Sequence, residues 1–124
     1  MGEKVKKRVL IIGASIKPSR FSYLALKKLT EHNHEVFAIG NKEGEIFGVQ
    51  IQKSNASLGN IDTVILYINP INQINYEDYI LKLHPKRIIF NPGTENISLA
   101  ARSRAAGIEV VMDCTLVMLD TGSF

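Results

Sequence analysis

Eight consecutive residues, Gly13, Ala14, Ser15, Ile16, Lys17, Pro18, Ser19 and Arg20, have the types and order that hold a phosphate. They follow the apolar run Val9-Leu10-Ile11-Ile12 and precede a helical pattern. Such a run marks a strand buried on both faces, here the central strand of a parallel sheet. Gly13 stands where that strand stops. A glycine there takes positive φ or lets a ligand approach a backbone that carries no Cβ. The next helix turns its free N–H groups and the positive end of its dipole back onto the loop, where an anion is stabilised. The predicted chemistry is binding of a nucleotide phosphate; the plain alternative is a tight strand-to-helix turn that binds nothing. On the binding reading, Gly13→Val is expected to block the ligand and leave the fold intact.

The second candidate is Lys42, in Gly40-Asn41-Lys42 at the end of the next apolar run. A dinucleotide fingerprint has G-x-G-x-x-G and an acidic residue about 20 positions on that grips the ribose diol. Here the loop keeps Gly13 alone of those glycines, and a lysine stands where the acid belongs. Lys42 suits a phosphate on the ribose. That disfavours NAD and leaves NADP or another phosphorylated adenosine, such as coenzyme A with its 3′-phosphate. No G-x-x-x-x-G-K-[ST] loop is present, which argues against a P-loop NTPase.

Groups that could carry out a reaction are few. His32, His34 and His84 fall at predicted helix ends, opposite the phosphate loop, and read as exposed polar caps. No His and Cys cluster has zinc spacing, so no metal is expected. Ser15 lacks the G-x-S-x-G setting of a nucleophile and reads as a hydrogen-bond donor. Glu95 reads as a first-turn acid that favours the helix dipole. Cys114, the one cysteine, is either a packed, inert thiol or one that meets a ligand thiol. No catalytic residue is assigned, and the chain is not expected to be an enzyme.

These residues need a scaffold, and the pattern along the chain supplies one. Residues 20 to 32 read as a helix with Phe21, Leu24, Ala25 and Leu29 on its apolar stripe, started by Ser19 or Ser22 and stopped at Asn33. Val36 to Ile39, Val64 to Ile68, Arg87 to Phe90 and Ile108 to Met112 read as further strands. Residues 72 to 84 and 95 to 106 read as helices, closed by Pro85 and Gly107. Glu45 to Ile51 looks like a small extended excursion around Gly48, and 115 to 119 has helical character. The expectation is an α/β fold, a single Rossmann-like doubly wound domain over residues 1–124, with a five-stranded parallel sheet and helices on both faces. Ligands of such sheets bind beyond the carboxyl ends of the strands, where strand order reverses. Those ends are Gly13-Ala14-Ser15, Gly40-Asn41-Lys42, Ile68-Asn69-Pro70, Asn91-Pro92-Gly93 and Asp113-Cys114.

Composition narrows the classes. At 124 residues, 45% hydrophobic and 22% charged, the chain is ordinary globular material. Much of the net charge of +3 comes from Lys4, Lys6, Lys7 and Arg8, which read as a solvated lead into the first strand. No basic stripe with interleaved aromatics suggests nucleic acid. A single cysteine excludes an internal disulfide framework. No apolar run is long enough for a bilayer, and the charged start does not resemble a signal peptide. A reducing, cytoplasmic setting is expected.

Taken in order, Ile12-Gly13-Ala14-Ser15 with Pro18 and Arg20-Phe21-Ser22-Tyr23, Asn41-Lys42 with Ile46-Phe47-Gly48, Asn91-Pro92-Gly93-Thr94-Glu95-Asn96, and Ala106-Gly107-Ile108-Glu109-Val110-Val111 with Cys114 resemble the small single-domain CoA-binding proteins. These are similar to the N-terminal CoA-binding domain of the succinyl-CoA synthetase alpha subunit. The resemblance covers nearly the whole chain. It implies coenzyme A or an acyl-CoA as ligand. The phosphates would lie on Gly13 to Arg20, Lys42 beside Asn41 would serve the adenosine end, and Asn69, Pro70, Asn91, Pro92 and Gly93 would line the rest. The chain departs from the pattern in having Asn41 before Lys42, where a proline is common. The synthetase's phosphohistidine lies in a separate domain outside these residues, so ligase activity does not carry over. The expected role is non-catalytic binding of a small molecule, with no nucleic acid and no membrane, and with room for a protein partner or a homodimer. The alternatives are an NADP-dependent oxidoreductase and a nucleotide-sensing regulatory subunit. No catalytic His or substrate domain supports the oxidoreductase.

Overall fold

A computed structural model describes residues 6–124; Lys4 of the basic run lies outside them. The strands are β1 (Arg8–Ile12), β2 (Glu35–Ile39), β3 (Gly44–Ile46), β4 (Val49–Gln52), β5 (Thr63–Leu66), β6 (Arg87–Phe90) and β7 (Glu109–Met112). The helices are α1 (Phe21–Glu31), α2 (Pro70–Gln73), α3 (Glu77–Leu83), α4 (Ile97–Ala105) and α5 (Thr115–Thr121), with a 3-10 turn at Ile74–Tyr76 between α2 and α3. The strands form one sheet in the order β3-β4-β2-β1-β5-β6-β7.

The sheet differs from the five parallel strands expected: it has seven strands and is mixed. β4 runs parallel to β2, and β3 runs antiparallel to β4. The extra pair is a hairpin whose two-residue loop is Phe47-Gly48, both at positive φ (52° and 76°). That is the primed turn whose twist matches the strands. Phenylalanine is an unfavourable first residue for such a turn. Its ring packs edge-on against Tyr23, centroids 5.2 Å apart, which offsets part of the strain. Lacking an Asn-Gly or Asp-Gly signal, the segment reads from sequence as an irregular excursion.

The apolar runs do what double burial requires. Val9, Leu10, Ile11 and Ile12 are fully buried, as are Val64, Ile65, Leu66, Ile88, Ile89 and Phe90. Alternate residues face opposite layers. Val9, Ile11, Ile65 and Ile89 meet Leu26 and Leu29 of α1 and Met118 and Leu119 of α5. Leu10, Ile12, Val64, Leu66, Ile88 and Phe90 meet Ile80 of α3 and Leu99 and Ala100 of α4. β7, at the sheet edge, is only partly covered.

Helix phases and ends also correct the sequence reading. α1 buries Ser22, Ala25, Leu26 and Leu29, leaving Phe21 70% and Leu24 38% exposed. The helix expected over 72–84 is three pieces, because Pro70 starts α2 early with the Asn69 side chain accepting from Asn72 N–H at 2.9 Å. It stops at His84, which the following Pro85 displaces from the α region into a left-handed conformation. Asn33, with φ of 65°, is the left-handed residue after α1 that its type suggested.

Crossover from β4 to β5 uses residues 53–62 with no helix. Leu58 and Ile61 cover the sheet there, and Tyr79 Oη donates to the Ala56 carbonyl at 2.6 Å. A cavity of about 220 Å³ stays open beneath, walled by Leu10, Phe37, Ile39, Val49, Ala56 and Leu58.

Candidate functional site at the carboxyl edge of the sheet

The order β2-β1-β5-β6 puts the four predicted loops side by side at one edge: 13–20 after β1, 41–42 after β2, 69–70 after β5 and 91–93 after β6. β1 leads through α1 to β2 on one side, and its other neighbour β5 begins the succession toward β7. The crevice between β1 and β5 is therefore the point where strand order reverses.

The start of the β1 loop belongs to the fold. Gly13 N–H and Ala14 N–H both donate to the Ile39 carbonyl at 2.9 Å. Gly13 has φ of +98°, and a Cβ there would lie 2.8 Å from Ile68 Cγ2 and 2.9 Å from the Tyr67 carbonyl carbon. The backbone that approaches Gly13 is the protein's own, so Gly13→Val damages the fold directly instead of sparing it. Gly40 is tighter still, with its Cβ position 2.3 Å from the Ala14 oxygen. Gly44 receives Ile16, whose Cγ2 lies 2.8 Å from the Cβ position. The loop is thus pressed onto the ends of β2 and β3 by contacts that exclude side chains.

The rest of the loop is open. Ile16, Lys17, Pro18, Ser19 and Arg20 are exposed, and Ser15 is half-buried. Ser15 Oγ accepts from Lys17 N–H at 3.1 Å, and Lys17 O accepts from Arg20 N–H at 3.0 Å. Arg20, not Ser19 or Ser22 as expected, stands at the start of α1, and no side chain caps the helix there. Among the described residues, the N–H groups of Ser15, Ile16, Ser19, Phe21 and Ser22 have no acceptor in the protein. They are the donors an anion can use at the positive end of α1. Lys17 and Arg20 belong to the same loop and Lys42 to the neighbouring loop after β2; all three are exposed and without an ion pair among the described residues.

Across the crevice the predicted residues divide between scaffold and surface. Asn91 is 2% exposed. Its Nδ2 donates to Leu66 O at 3.0 Å and its Oδ1 accepts from Thr115 N–H at 2.8 Å, so its side chain joins β5, β6 and α5. Asn69 is exposed but its Oδ1 is committed to capping α2. Pro92 and Gly93 are exposed, and Gly93, at φ of +91°, has open space on its side-chain side. Glu95 Oε1 accepts from Gly93 N–H at 2.8 Å and closes that turn. Asn96, not Glu95, begins α4, its Oδ1 accepting from Leu99 N–H at 3.1 Å.

Sequence reasoning missed Tyr67, Gln73 and Thr115. Tyr67 Oη and Thr115 Oγ1 are buried without a hydrogen-bond partner among the described residues. Burial pushes the Tyr67 phenol well above its ordinary value; the neighbouring Thr115 hydroxyl works against that and Cys114 adds to it. Cys114 is half-buried at the start of α5. No local pattern marks these residues, because most of their contacts join segments far apart in sequence: Gln73 bonds Thr94 and Asn96, and Thr115 N–H bonds Asn91.

The histidines lie elsewhere. His34, at the amino end of β2, accepts from Lys7 N–H through Nδ1 at 3.0 Å and packs on Phe124, ring centroids 5.2 Å apart. His84 Nε2 meets Ala106 O at 3.0 Å. No group of three His, Cys, Asp or Glu gathers as metal ligands among the described residues. None of their helices is long and apolar enough to cross a membrane.

Comparison with known proteins bears on this edge. The family described as "CoA binding domain" matches residues 7–120. No curated protein matches the chain. A crystal structure described only as that of an uncharacterized protein shares 47% identity and superposes with a TM-score of 0.94, covering 98% of this chain and 100% of that one. A hypothetical protein from Pyrococcus horikoshii OT3 shares 25% identity with a TM-score of 0.84, covering 94% of this chain and 83% of that one. The dinucleotide-forming acetyl-coenzyme A synthetase 1 of Ca. Korarchaeum cryptofilum, a structure in complex with phosphate and ADP, shares the fold at 17% identity and a TM-score of 0.69. The match covers 86% of this chain and 25% of that one.

Proposed function

The chain belongs to the CoA binding domain family, and on that premise we propose that it is a non-catalytic, cytoplasmic domain that binds coenzyme A or an acyl-CoA at the carboxyl edge of its sheet. The observation that carries the reading is the uncapped start of α1. An eleven-residue helix opens at the strand-order reversal with no side chain on its first N–H groups. Unpaired donors above Ser15, Ile16 and Ser19 extend the same surface. A diphosphate satisfies them and lies with the helix dipole.

The neighbouring residues fit the rest of the ligand. Lys42 is an exposed point charge at the end of β2, suited to a phosphate on the ribose. Asn41 beside it offers an amide to the adenosine end. Across β1, the loops with Asn69, Pro70, Pro92 and Gly93 offer neutral backbone to the uncharged pantetheine arm. Coenzyme A, when bound, supplies a thiol or thioester; this chain's residues bind and orient it.

Calorimetric titration with CoA, acetyl-CoA, NADP, NAD and ATP tests the proposal. Saturable one-to-one binding of CoA or acetyl-CoA, tighter than of the other three, is expected. Preference for NADP would replace this reading with the oxidoreductase one, and no binding by any of the five would refute it.

A further inference from the structure

The two halves of the carboxyl edge are held by different means. Backbone holds the β1 and β2 half, through Ile39 O and the glycine contacts at positions 13 and 40. Side chains hold the β5 and β6 half: Asn91 bonds Leu66 O at the end of β5, and the fully buried Gln73 joins the β5 loop to the β6 loop. Its Nε2 donates to Ile68 O at 2.9 Å and to Thr94 O at 2.7 Å, and its Oε1 accepts from Asn96 Nδ2 at 2.9 Å. Ile68 directly precedes Asn69-Pro70, and Thr94 directly follows Gly93. The amide thus ties the base of one candidate loop to the base of the other, using both N–H donors and its oxygen. Asn96 backs it. Besides capping α4, it directs its Nδ2 at Glu77 Oε2 at 3.4 Å, and Glu77 is in turn paired with Arg102 at 2.8 Å.

We propose that Gln73, supported by Asn96, is a positioning residue that sets the spacing of the two loops receiving the pantetheine arm of coenzyme A. This rests on the CoA reading above. The phosphate donors and Lys42 lie on the β1 and β2 side of the crevice, so the arm that leaves the diphosphate crosses toward β5 and β6. It is neutral and rich in amides, so its affinity depends on where backbone groups of the 68–70 and 91–94 segments stand. Gln73 bonds the Ile68 and Thr94 carbonyls directly and makes no side-chain hydrogen bond on the nucleotide side. It therefore controls affinity for the arm separately from affinity for the adenosine phosphates.

Titrations of CoA and of adenosine 3′,5′-bisphosphate into wild type, Gln73→Met and Asn96→Asp, each shown folded by thermal melting, test this. Gln73→Met keeps the shape, takes the donor from the Ile68 and Thr94 carbonyls, and leaves the Asn96 amide only its long contact to Glu77. Asn96→Asp keeps the oxygen that caps α4 and removes the donor to Gln73, so it carries the comparison if Gln73→Met does not fold. The expected result is CoA affinity lower by about tenfold or more, with bisphosphate affinity within about twofold of wild type. A general structural role would weaken both ligands alike or neither, and either result overturns the proposal. Wild type that binds neither ligand would instead refute the CoA reading, which separates the two failures.

Discussion

Replacing Gly13 by alanine puts a Cβ 2.8 Å from Ile68 Cγ2 and 2.9 Å from the carbonyl carbon of Tyr67, at φ of +98°. The Ile68 methyl can turn away; the Tyr67 backbone cannot, because its N–H is bonded to Ile12 O at 2.9 Å in the middle of the sheet. Two costs follow. The backbone conformation costs a non-glycine residue about 1–3 kcal/mol. Crowding against atoms that cannot relax costs about 1–3 kcal/mol more. The sum of roughly 2–6 kcal/mol is a large part of the about 5–15 kcal/mol that holds a domain together. Gly93→Ala is the control. Its φ of +91° imposes a similar conformational cost, but no atom lies within 4 Å of the Cβ position. Urea melts of the two variants and wild type should give similar slopes, with Gly13→Ala the less stable by about 1–3 kcal/mol. If Gly13→Ala loses no more stability than Gly93→Ala, the contact with Tyr67 is not what the glycine is for.

Lys42→Ala should weaken CoA by about 1–3 kcal/mol, the range for a charge-assisted hydrogen bond, and leave dephospho-CoA nearly unchanged; equal losses in calorimetry would move the 3′-phosphate away from Lys42. His34 predicts a pH dependence of stability. Burial, then Lys7, His32 and Arg87, hold its pKa below the ordinary 6.5 in the folded chain, with Asp62 opposing. The unfolded chain therefore takes up a proton that the fold resists, so stability falls as pH drops from neutral through about 6.5 toward the folded value. Thermal melts between pH 7.5 and 5 should show that slope, and His34→Gln should flatten it; an unchanged slope would assign it to other groups.

What was legible in the sequence is what local pattern encodes. β1, β5 and β6 are runs buried on both faces, and burial on both faces leaves no alternative to continuous apolar residues. Their ends follow from Gly13, Asn69-Pro70 and Asn91-Pro92-Gly93, so the edge where a ligand would lie was visible too. Three features were not. The phase of α1 was ambiguous because Phe21 and Leu24 offered an apolar stripe, whereas the core took Ser22 and Leu26. The β3–β4 hairpin turns on Phe47, a residue type that rarely takes positive φ, here packed against Tyr23. The amide network of Gln73, Asn91 and Asn96 joins residues 23 to 25 positions apart. Isolated Asn and Gln carry no periodicity that would announce such bonds.

Gly13 shows why a glycine in a sequence does not by itself name its partner. A position that excludes Cβ is required wherever anything approaches the backbone closely, and a ligand and a neighbouring strand impose the same demand. Only the partner distinguishes them. At Gly13 the partner is Tyr67 and Ile68, and at Gly40 it is Ala14, so both glycines are consumed in seating the loop. The N–H groups of Gly13 and Ala14 are consumed as well, on Ile39 O. These contacts seat the base of the loop and leave every backbone donor from Ser15 to Ser22 unengaged except those of Lys17 and Arg20. The surface that stays open to a ligand therefore begins at Ser15 and runs into the first turn of α1. On the proposed function, the glycine at the strand end would serve a phosphate at one remove, by seating the loop.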